Sequence, residues 1–264
     1  MHAPPGHLAN DLATITADVL ARVRVRAPRV HCITNAVAQA FTANVLLAVG
    51  AIPSMTIAAD EVAAFTAGAN ALLVNLGTFD AERREAAEIA IEVATEERLP
   101  WVLDPVFVNR SEPRAAYART LAARKPGAIR LNRAEFKAVA GFEPEAEPDG
   151  AALSAYALDC LSVIGLTGPV DVVTDGARTI TIENGDPLMA SVTAMGCAGS
   201  GLLAACLAVE NDPFVATVAA LLALGVAGEV AAMTAHGPGS FAAGILDALH
   251  GLKRDVLIQR ARVV

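Results

Sequence analysis

The sequence predicts an α/β fold of three layers, in which a mainly parallel sheet lies between helices on both faces. Short, continuous apolar runs, typical of strands that are buried on both sides, alternate along the chain with longer helical runs. Of the 264 residues, 54% are hydrophobic but only 4% are aromatic, so the predicted core consists mainly of Ala, Val and Leu. No linker or internal repeat interrupts this alternation, and the length suits one large domain over residues 1–264.

The predicted strands are apolar runs that end near a polar residue. In chain order they are residues 30–34, 71–75, 101–105, 128–132 and 170–174. Residues 179–183 together with 189–192 predict a β-ribbon. Because ligands of open α/β sheets bind beyond the carboxyl ends of the strands, the polar side chains expected there are Asn35, Asn75, Asp104, Asn132 and Thr167.

The predicted helices fill the intervals between these strands and most of the last third of the chain. They are residues 37–49, 80–97, 114–123, 133–140, 150–164, 196–209, 213–234 and 239–252.

Charge and cysteine content exclude several classes of protein. The formal net charge is −8, and no basic run with interleaved aromatic residues is present, so nucleic acid is not an expected partner. The cysteines are Cys32, Cys160, Cys197 and Cys206, and they form neither a CxxC pair nor a disulfide framework.

We also expect no membrane partner. Residues 187–209 carry no charge and are long enough to span a bilayer, but only 196–209 is predicted to be helical, which is too short. Residues 1–10 lack the charged start and apolar run of a signal peptide, and we therefore expect a cytoplasmic protein.

The most informative segment is the turn at residues 193–201, where a predicted strand is followed by small residues and an apolar helix. The free N–H groups of a helix N-terminus can accept a transferring phosphoryl group. Cys197 would lie in the first helical turn, where its thiolate is favoured, and could take the proton of a substrate hydroxyl. The alternative is that the glycines only permit close packing and that Cys197 is a small buried side chain.

Two carboxylates and one arginine complete the candidate chemistry. Asp104 and Glu135 could hold Mg²⁺, although a turn-forming Asp-Pro and a helix N-terminal Glu are structural alternatives. Arg130 could bind phosphate or form a surface salt bridge. Met55 could line a pocket for an aromatic heterocycle or fill the core, and His31 is expected to be a buried core residue.

These segments together resemble the hydroxyethylthiazole kinase family of the ribokinase-like superfold, in order from about residue 30 to 252. Cys197 is the sharpest feature, since most ribokinase-like enzymes have an Asp base at that position. The matching motifs are His31-Cys32-Ile33-Thr34-Asn35, Pro53-Ser54-Met55, Asn75-Leu76-Gly77-Thr78, Leu103-Asp104-Pro105-Val106, Arg130-Leu131-Asn132-Arg133-Ala134-Glu135, Thr167-Gly168, Thr193 to Cys197 and Gly237-Pro238-Gly239-Ser240-Phe241.

The resemblance implies ATP- and Mg²⁺-dependent phosphorylation of a hydroxyethylthiazole in thiamine salvage, by a homotrimer with active sites between subunits. The roles it implies are base for Cys197, thiazole contact for Met55, Asn35 and the backbone of Ala194, ATP contact for Arg130 and Thr167, and Mg²⁺ binding for Asp104 and Glu135.

The chain departs from the family pattern at the turn, where glycine-alanine-glycine-cysteine is replaced by Ala194-Met195-Gly196-Cys197. Alanine is tolerated at the first position if its φ stays negative. Three alternatives remain open: a kinase acting on a hydroxymethylpyrimidine, an ATP-dependent hydrate dehydratase of the same superfold, and a non-catalytic thiazole- or nucleotide-binding regulator.

Overall fold

Eight strands form one sheet in a computed structural model that describes residues 5–264, with side chains from residue 10 onward. No signal peptide is predicted in residues 1–10, and residues 1–4 of that segment lie outside the described residues. The strand order is β2-β1-β3-β4-β5-β6-β7-β8. The first six strands in this order are parallel, and β7 and β8 are antiparallel to their neighbours. The strands are β1 (Arg29–Ile33), β2 (Ile52–Ser54), β3 (Ala71–Asn75), β4 (Trp101–Asp104), β5 (Ala128–Asn132), β6 (Val163–Thr167), β7 (Asp171–Thr174) and β8 (Thr179–Ile182).

Helices cover both faces of the sheet, and the predicted three-layer arrangement is confirmed. They are α1 (Pro5–Arg26), α2 (Gln39–Ala48), α3 (Val62–Ala67), α4 (Ala81–Glu96), α5 (Glu112–Ala122), α6 (Arg133–Ala140), α7 (Gly150–Cys160), α8 (Met195–Leu207), α9 (Pro213–Ala232), α10 (Pro238–Gly251) and α11 (Arg254–Arg260). One hydrophobic cluster joins the sheet to α1, α2, α8, α9 and α10. A second joins the opposite face to α3, α4, α5, α6 and α7.

The central strands are mostly apolar because each of their faces contacts a helical layer. In β3, Leu73 belongs to the first cluster, whereas Leu72 and Val74 belong to the second. All five residues of β3 are buried. A strand that is buried on both sides cannot alternate between apolar and polar residues, which explains the continuous runs in the sequence.

The structure corrects the predicted helix at residues 150–164. Helix α7 ends at Cys160, where Leu161 adopts a left-handed conformation with φ of 51°, and strand β6 begins at Val163. A short apolar run does not distinguish a buried strand from the end of a buried helix, and the prediction was wrong for this reason. Strand β6 matters for the site because it places Thr167 beside Asn132 of β5.

The predicted β-ribbon is also wrong in its second half. Strand β8 pairs with β7, and residues 189–192 form no strand, since Pro187–Ser191 is a 3₁₀ helix. Asp186 starts this helix by accepting a hydrogen bond from the amide of Leu188 at 2.9 Å. The outer side of β8 contacts the C-terminal tail instead, through a bridge between Ile182 and Val263.

The long apolar helices belong to the core. Within the described residues, α9 is the one helix long and apolar enough to cross a membrane, and its most apolar stretch is 83% buried. Helix α8 is buried from Ala198 to its end at Leu207, as predicted for an uncharged core segment.

The backbone that precedes the 3₁₀ helix lies directly against α9, and Gly225 makes this approach possible. A Cβ at Gly225 would lie 2.6 Å from the carbonyl oxygen of Asn184. We therefore expect Gly225→Ala to destabilise the protein by about 1–3 kcal/mol, because backbone must move to relieve the overlap. The change is measured as the free energy of unfolding in urea.

Gly244→Ala is the matched control. It lies inside α10, and its Cβ would meet Ala231 at an ordinary 3.5 Å. Alanine favours a helix interior over glycine by up to about 1 kcal/mol, so this variant should be at least as stable as the parent. Equal stability of the two variants would contradict the steric explanation.

Candidate active site

The carboxyl ends of β3 and β4 place an amide beside a carboxylate. Asn75 and Asp104 are register partners, and both side chains are buried. Asn75 Nδ2 donates to Asp104 Oδ2 at 2.7 Å, and Ser200 Oγ of α8 donates to the same oxygen at 2.8 Å. Burial raises the pKa of Asp104, while the charge of Arg130 and these two hydrogen bonds oppose the rise. The carboxylate is thus held by donors on two separate elements, β3 and α8.

The thiol of Cys197 lies close to this carboxylate, in the first turn of α8. It is half-buried, whereas Cys32, Cys160 and Cys206 are buried. Asn35 Nδ2 lies 3.2 Å from Cys197 Sγ and donates a hydrogen bond to it. The alternative of a fully buried packing cysteine therefore does not describe Cys197, because the residue is only half-buried.

The structure corrects the expectation that the thiolate of Cys197 is favoured. Burial raises its pKa to about 11, and the charge of Asp104 adds to the rise. The hydrogen bond from Asn35, the nearby amide of Asn75 and the charge of Arg130 lower the pKa only in part. The position at a helix N-terminus is outweighed by desolvation and by a neighbouring negative charge.

Ala194 is the N-cap of α8 and has a φ of 68°, in the left-handed region. The condition stated for a tolerated alanine, a negative φ, is therefore not met here, and the expectation of a strand before the turn is wrong. The Ala194 carbonyl accepts the amide of Ala198 at 2.9 Å, which starts the helix. The amides of Gly196 and Cys197 then lie in the first turn, where helix geometry provides no internal acceptor.

The guanidinium of Arg130 packs against this same turn. A Cβ on Gly196 would lie 3.3 Å from Arg130 Nη1, and one on Gly199 would lie 3.4 Å from its Nε. Because both residues lack a side chain, the guanidinium can pack closely against the helix at these positions. Within residues 10–264 Arg130 forms no ion pair at 4.0 Å or less, and its Nε is buried without a hydrogen-bond partner, so it is not the surface salt bridge of the alternative interpretation. An unpaired buried donor beside a helix N-terminus is suited to binding an anion.

Glu135 has a structural role as well as a position near Asp104. Its Oε2 accepts from the amide of Asn132 at 2.9 Å and its Oε1 from the amide of Phe107 at 3.0 Å, while Asn132 caps the amide of Glu135. This is a capping box, as the structural alternative predicted. Burial and the charge of Asp104 raise the pKa of Glu135, which shows that the two carboxylates share one region.

A cleft of about 710 Å³ opens next to Arg130 at the ends of β5 and β6. Its lining includes the polar residues Arg130, Thr167 and Asp171 and the apolar residues Leu221 and Leu224. Gly196 and Met195 also line it, so the cleft reaches the first turn of α8. The structure thereby brings together Arg130, Thr167 and the α8 turn, as their predicted roles require.

Sequence reasoning did not find two carboxylates at the cleft: Asp171, which lines it, and Glu229, which lies behind the lining residues Asn184 and Gly185 and accepts hydrogen bonds from them. Asp171 Oδ1 accepts from the amide of Gly168 at 2.9 Å and shapes the loop after Thr167. Glu229 Oε1 accepts from Asn184 Nδ2 at 2.9 Å and from the amide of Gly185 at 3.1 Å. In the sequence, each of them is recognisable only as an acidic residue within an apolar strand or helix, which does not show the group to which it is hydrogen-bonded.

The predicted thiazole contacts fall into two groups. Asn35 and Ala194 lie on either side of Cys197 in the site. Met55 follows the edge strand β2 and packs, partly buried, against the first hydrophobic cluster. His31 is a buried core residue as predicted, with Nδ1 2.9 Å from Ser54 Oγ and its pKa lowered by burial to about 4.

Known proteins of one family are similar to this chain over most of its length. The model of the hydroxyethylthiazole kinase family matches residues 20–255. The chain is 46% identical to the hydroxyethylthiazole kinase of Cereibacter sphaeroides, over 91% of this chain and 95% of that protein. It is 42% identical to a probable hydroxyethylthiazole kinase of Agrobacterium fabrum, over 95% of each.

Solved structures show the same relationship. The hydroxyethylthiazole kinase of Pyrococcus horikoshii OT3 superposes with a TM-score of 0.90 at 36% identity, over 94% of this chain and 98% of that one. A ribokinase-like superfamily protein of Enterococcus faecalis superposes with a TM-score of 0.64 at 14% identity, over 88% of this chain and 89% of that one. At that identity the likeness shows the fold alone, which is ribokinase-like as predicted.

The raised pKa of Cys197 predicts slow alkylation of the free protein at neutral pH. The rate constant with iodoacetamide should rise about tenfold for each pH unit and still be rising at about pH 10, because only the thiolate reacts. The measurement is mass spectrometry of the modified peptide, with Cys197→Ser as the unreactive control. A rate that is already constant at neutral pH would contradict the assigned environment.

The left-handed conformation of Ala194 predicts that Ala194→Gly stabilises the protein by about 1 kcal/mol. The conformation costs an L-residue about 1–2 kcal/mol, part of which the greater freedom of unfolded glycine offsets. Urea unfolding checks this, with Ala198→Gly as a control that should be destabilised by about 1 kcal/mol because it lies within the helix. Two equally destabilised variants would show that Ala194 is not strained.

Proposed function

The chain belongs to the hydroxyethylthiazole kinase family, and we propose from its geometry how it performs that family's reaction. It is a kinase of thiamine salvage that transfers the γ-phosphoryl group of ATP to the alcohol of 4-methyl-5-(2-hydroxyethyl)thiazole. The observation that carries the proposal is the half-buried thiol of Cys197 at the N-terminus of α8, next to a cleft that contains an unpaired arginine.

We assign ATP to this cleft. Arg130 would contact phosphate oxygens through its guanidinium, which has no ion-pair partner within the described residues, and Thr167 lines the same cleft. The first-turn amides of α8 would receive the transferring phosphoryl group, since they carry the positive end of the helix dipole. Phosphoryl transfer depends mainly on such positioning and charge stabilisation.

We assign the thiazole alcohol to the side of Cys197 that Asn35 and Ala194 border, with Met55 as a further contact. Cys197 would accept the hydrogen bond of the alcohol and take its proton. With a pKa of about 11, roughly one molecule in 10,000 carries the thiolate at pH 7. The base role of Cys197 therefore becomes more effective as the pH rises from neutrality.

The residues fit a requirement for Mg²⁺. Asp104 and Glu135 are both buried, and the charge of the first raises the pKa of the second, so a cation between them would relieve a repulsion. Within residues 10–264 no cluster of three or more His, Cys, Asp or Glu is arranged to hold a metal. Two carboxylates plus phosphate oxygens and water are a usual Mg²⁺ set, and the bound ion would neutralise charge on the phosphates.

We further propose one kinase domain over residues 1–264 that acts as a cytoplasmic homotrimer with active sites between subunits. The continuous sheet supports the single domain. Strand β2 is an edge strand, and Leu47, Ile52 and Phe65 on or next to it are 57%, 50% and 45% exposed. Covering this apolar edge with another subunit would also protect an unpaired strand from non-specific association.

A coupled ADP-release assay with a panel of heterocyclic alcohols tests the function. Hydroxyethylthiazole should be phosphorylated when ATP and Mg²⁺ are supplied, and hydroxymethylpyrimidine should not. Cys197→Ala should lower kcat by about 100-fold or more while thiazole binding survives, because the lost group acts in the transition state. Phosphorylation of the pyrimidine alone would overturn the substrate assignment, and unchanged turnover in Cys197→Ala would overturn the base.

A further inference from the structure

Two asparagine side chains connect the thiol to the buried carboxylate, and backbone amides determine which way each asparagine points. Asn35 Oδ1 accepts from the amide of Ala38 at 2.9 Å, so its Nδ2 must be the atom that faces Cys197 Sγ. Asn35 Nδ2 also donates to Asn75 Oδ1 at 3.0 Å. Both hydrogens of the Asn35 amide are therefore used, and one of them is directed at sulfur.

Asn75 is oriented in the same manner. Its Oδ1 accepts from the amide of Gly77 at 3.0 Å, which leaves Nδ2 to donate to Asp104 Oδ2 at 2.7 Å. Gly77 is also required sterically, because a Cβ there would lie 2.6 Å from Asn35 Nδ2. The segment after β3 thus supports both asparagines at once.

We propose that Asn75 is a positioning residue for phosphoryl transfer, which links Asp104 to Asn35 and so keeps the Asn35 donor on Cys197 Sγ. The inference rests on the proposed function and adds a residue to it that touches neither substrate in the assigned arrangement. An asparagine suits this role because it has one acceptor end for Asn35 and one donor end for a carboxylate. Without Asn75, the Asn35 amide loses the acceptor that helps to fix its orientation, and Asp104 loses one hydrogen-bond donor.

Ser200 offers a matched control. Its hydroxyl donates to the same Asp104 Oδ2 but makes no hydrogen bond to Asn35 or Cys197. Asn75→Ala and Ser200→Ala each remove one donor from Asp104, and only Asn75→Ala also removes the support of Asn35. A difference in Cys197 reactivity or in turnover between the two variants therefore measures the effect of Asn75 on Asn35 and Cys197, apart from its effect on Asp104.

The first measurement needs no turnover. In the full-length protein without ATP or metal, at about pH 9, Asn75→Ala should slow alkylation of Cys197 by iodoacetamide about tenfold, since a hydrogen bond to the charged sulfur is weakened. Ser200→Ala should change the rate less than about threefold. Equal rates in Asn75→Ala and the parent, or equal slowing in both variants, would overturn the link to Cys197.

The second measurement is kinetic. Asn75→Ala should lower kcat about 10- to 100-fold while KM for the thiazole alcohol changes less than about threefold, and it should lower kcat far less when Cys197→Ala is already present. Full additivity in the double variant would overturn the proposal. If Asn75→Ala unfolds at the assay temperature, Asn75→Ser replaces it under the same criteria. A parent protein that fails to phosphorylate hydroxyethylthiazole refutes the proposed function, and the alkylation result still decides the role of Asn75.

Discussion

The rest of the site depends on the electrostatic interaction between the Arg130 guanidinium and the buried acidic groups around it. It lowers the pKa of Asp104, Glu135, Asp171 and Cys197, all of which burial pushes upward. Without a cation in this region, several negative groups would share a poorly solvated space, and protonation would relieve the repulsion. Arg130 itself forms no ion pair within the described residues, so its hydrogen-bonding capacity remains available to an anionic ligand.

The position of Arg130 explains much of the local sequence. The guanidinium extends from the middle of β5 to the first turn of α8, and Gly196 and Gly199 are the positions at which a side chain would meet it. Gly199 is also required for packing between α8 and α9, because a Cβ there would lie 2.8 Å from Leu224 Cδ2 of α9. The glycines of this helix therefore permit close helix packing and also leave room for the Arg130 guanidinium. Glu135 shows the same overlap, since one carboxylate caps α6 and lies near Asp104.

The candidate site could be predicted residue by residue, but its connections could not. Asn35, Asp104, Thr167 and Cys197 were recognisable as polar or reactive groups at the ends of strands or the start of a helix, and Arg130 as a charged residue within an apolar strand. The hydrogen bond between Asn75 and Asp104 joins positions 29 residues apart, and the one between Asn35 and Cys197 joins positions 162 residues apart. Such pairs form only when parallel strands align their carboxyl ends. The sequence therefore predicts that these groups meet at one edge of the sheet, but it does not predict which atoms are in contact.

The sequence by itself determined the layered fold, most helices, and the edge of the sheet at which the chemistry is located, because burial on two faces imposes continuous apolar runs and helix caps are local. Only the tertiary structure decided that residues 163–167 are a strand and that Ala194 is left-handed, since both depend on neighbours distant in sequence. It also decided the protonation of Cys197. The first turn of a helix favours a thiolate, but the desolvation and the Asp104 charge that outweigh it come from the assembled sheet and cannot be read from nearby residues.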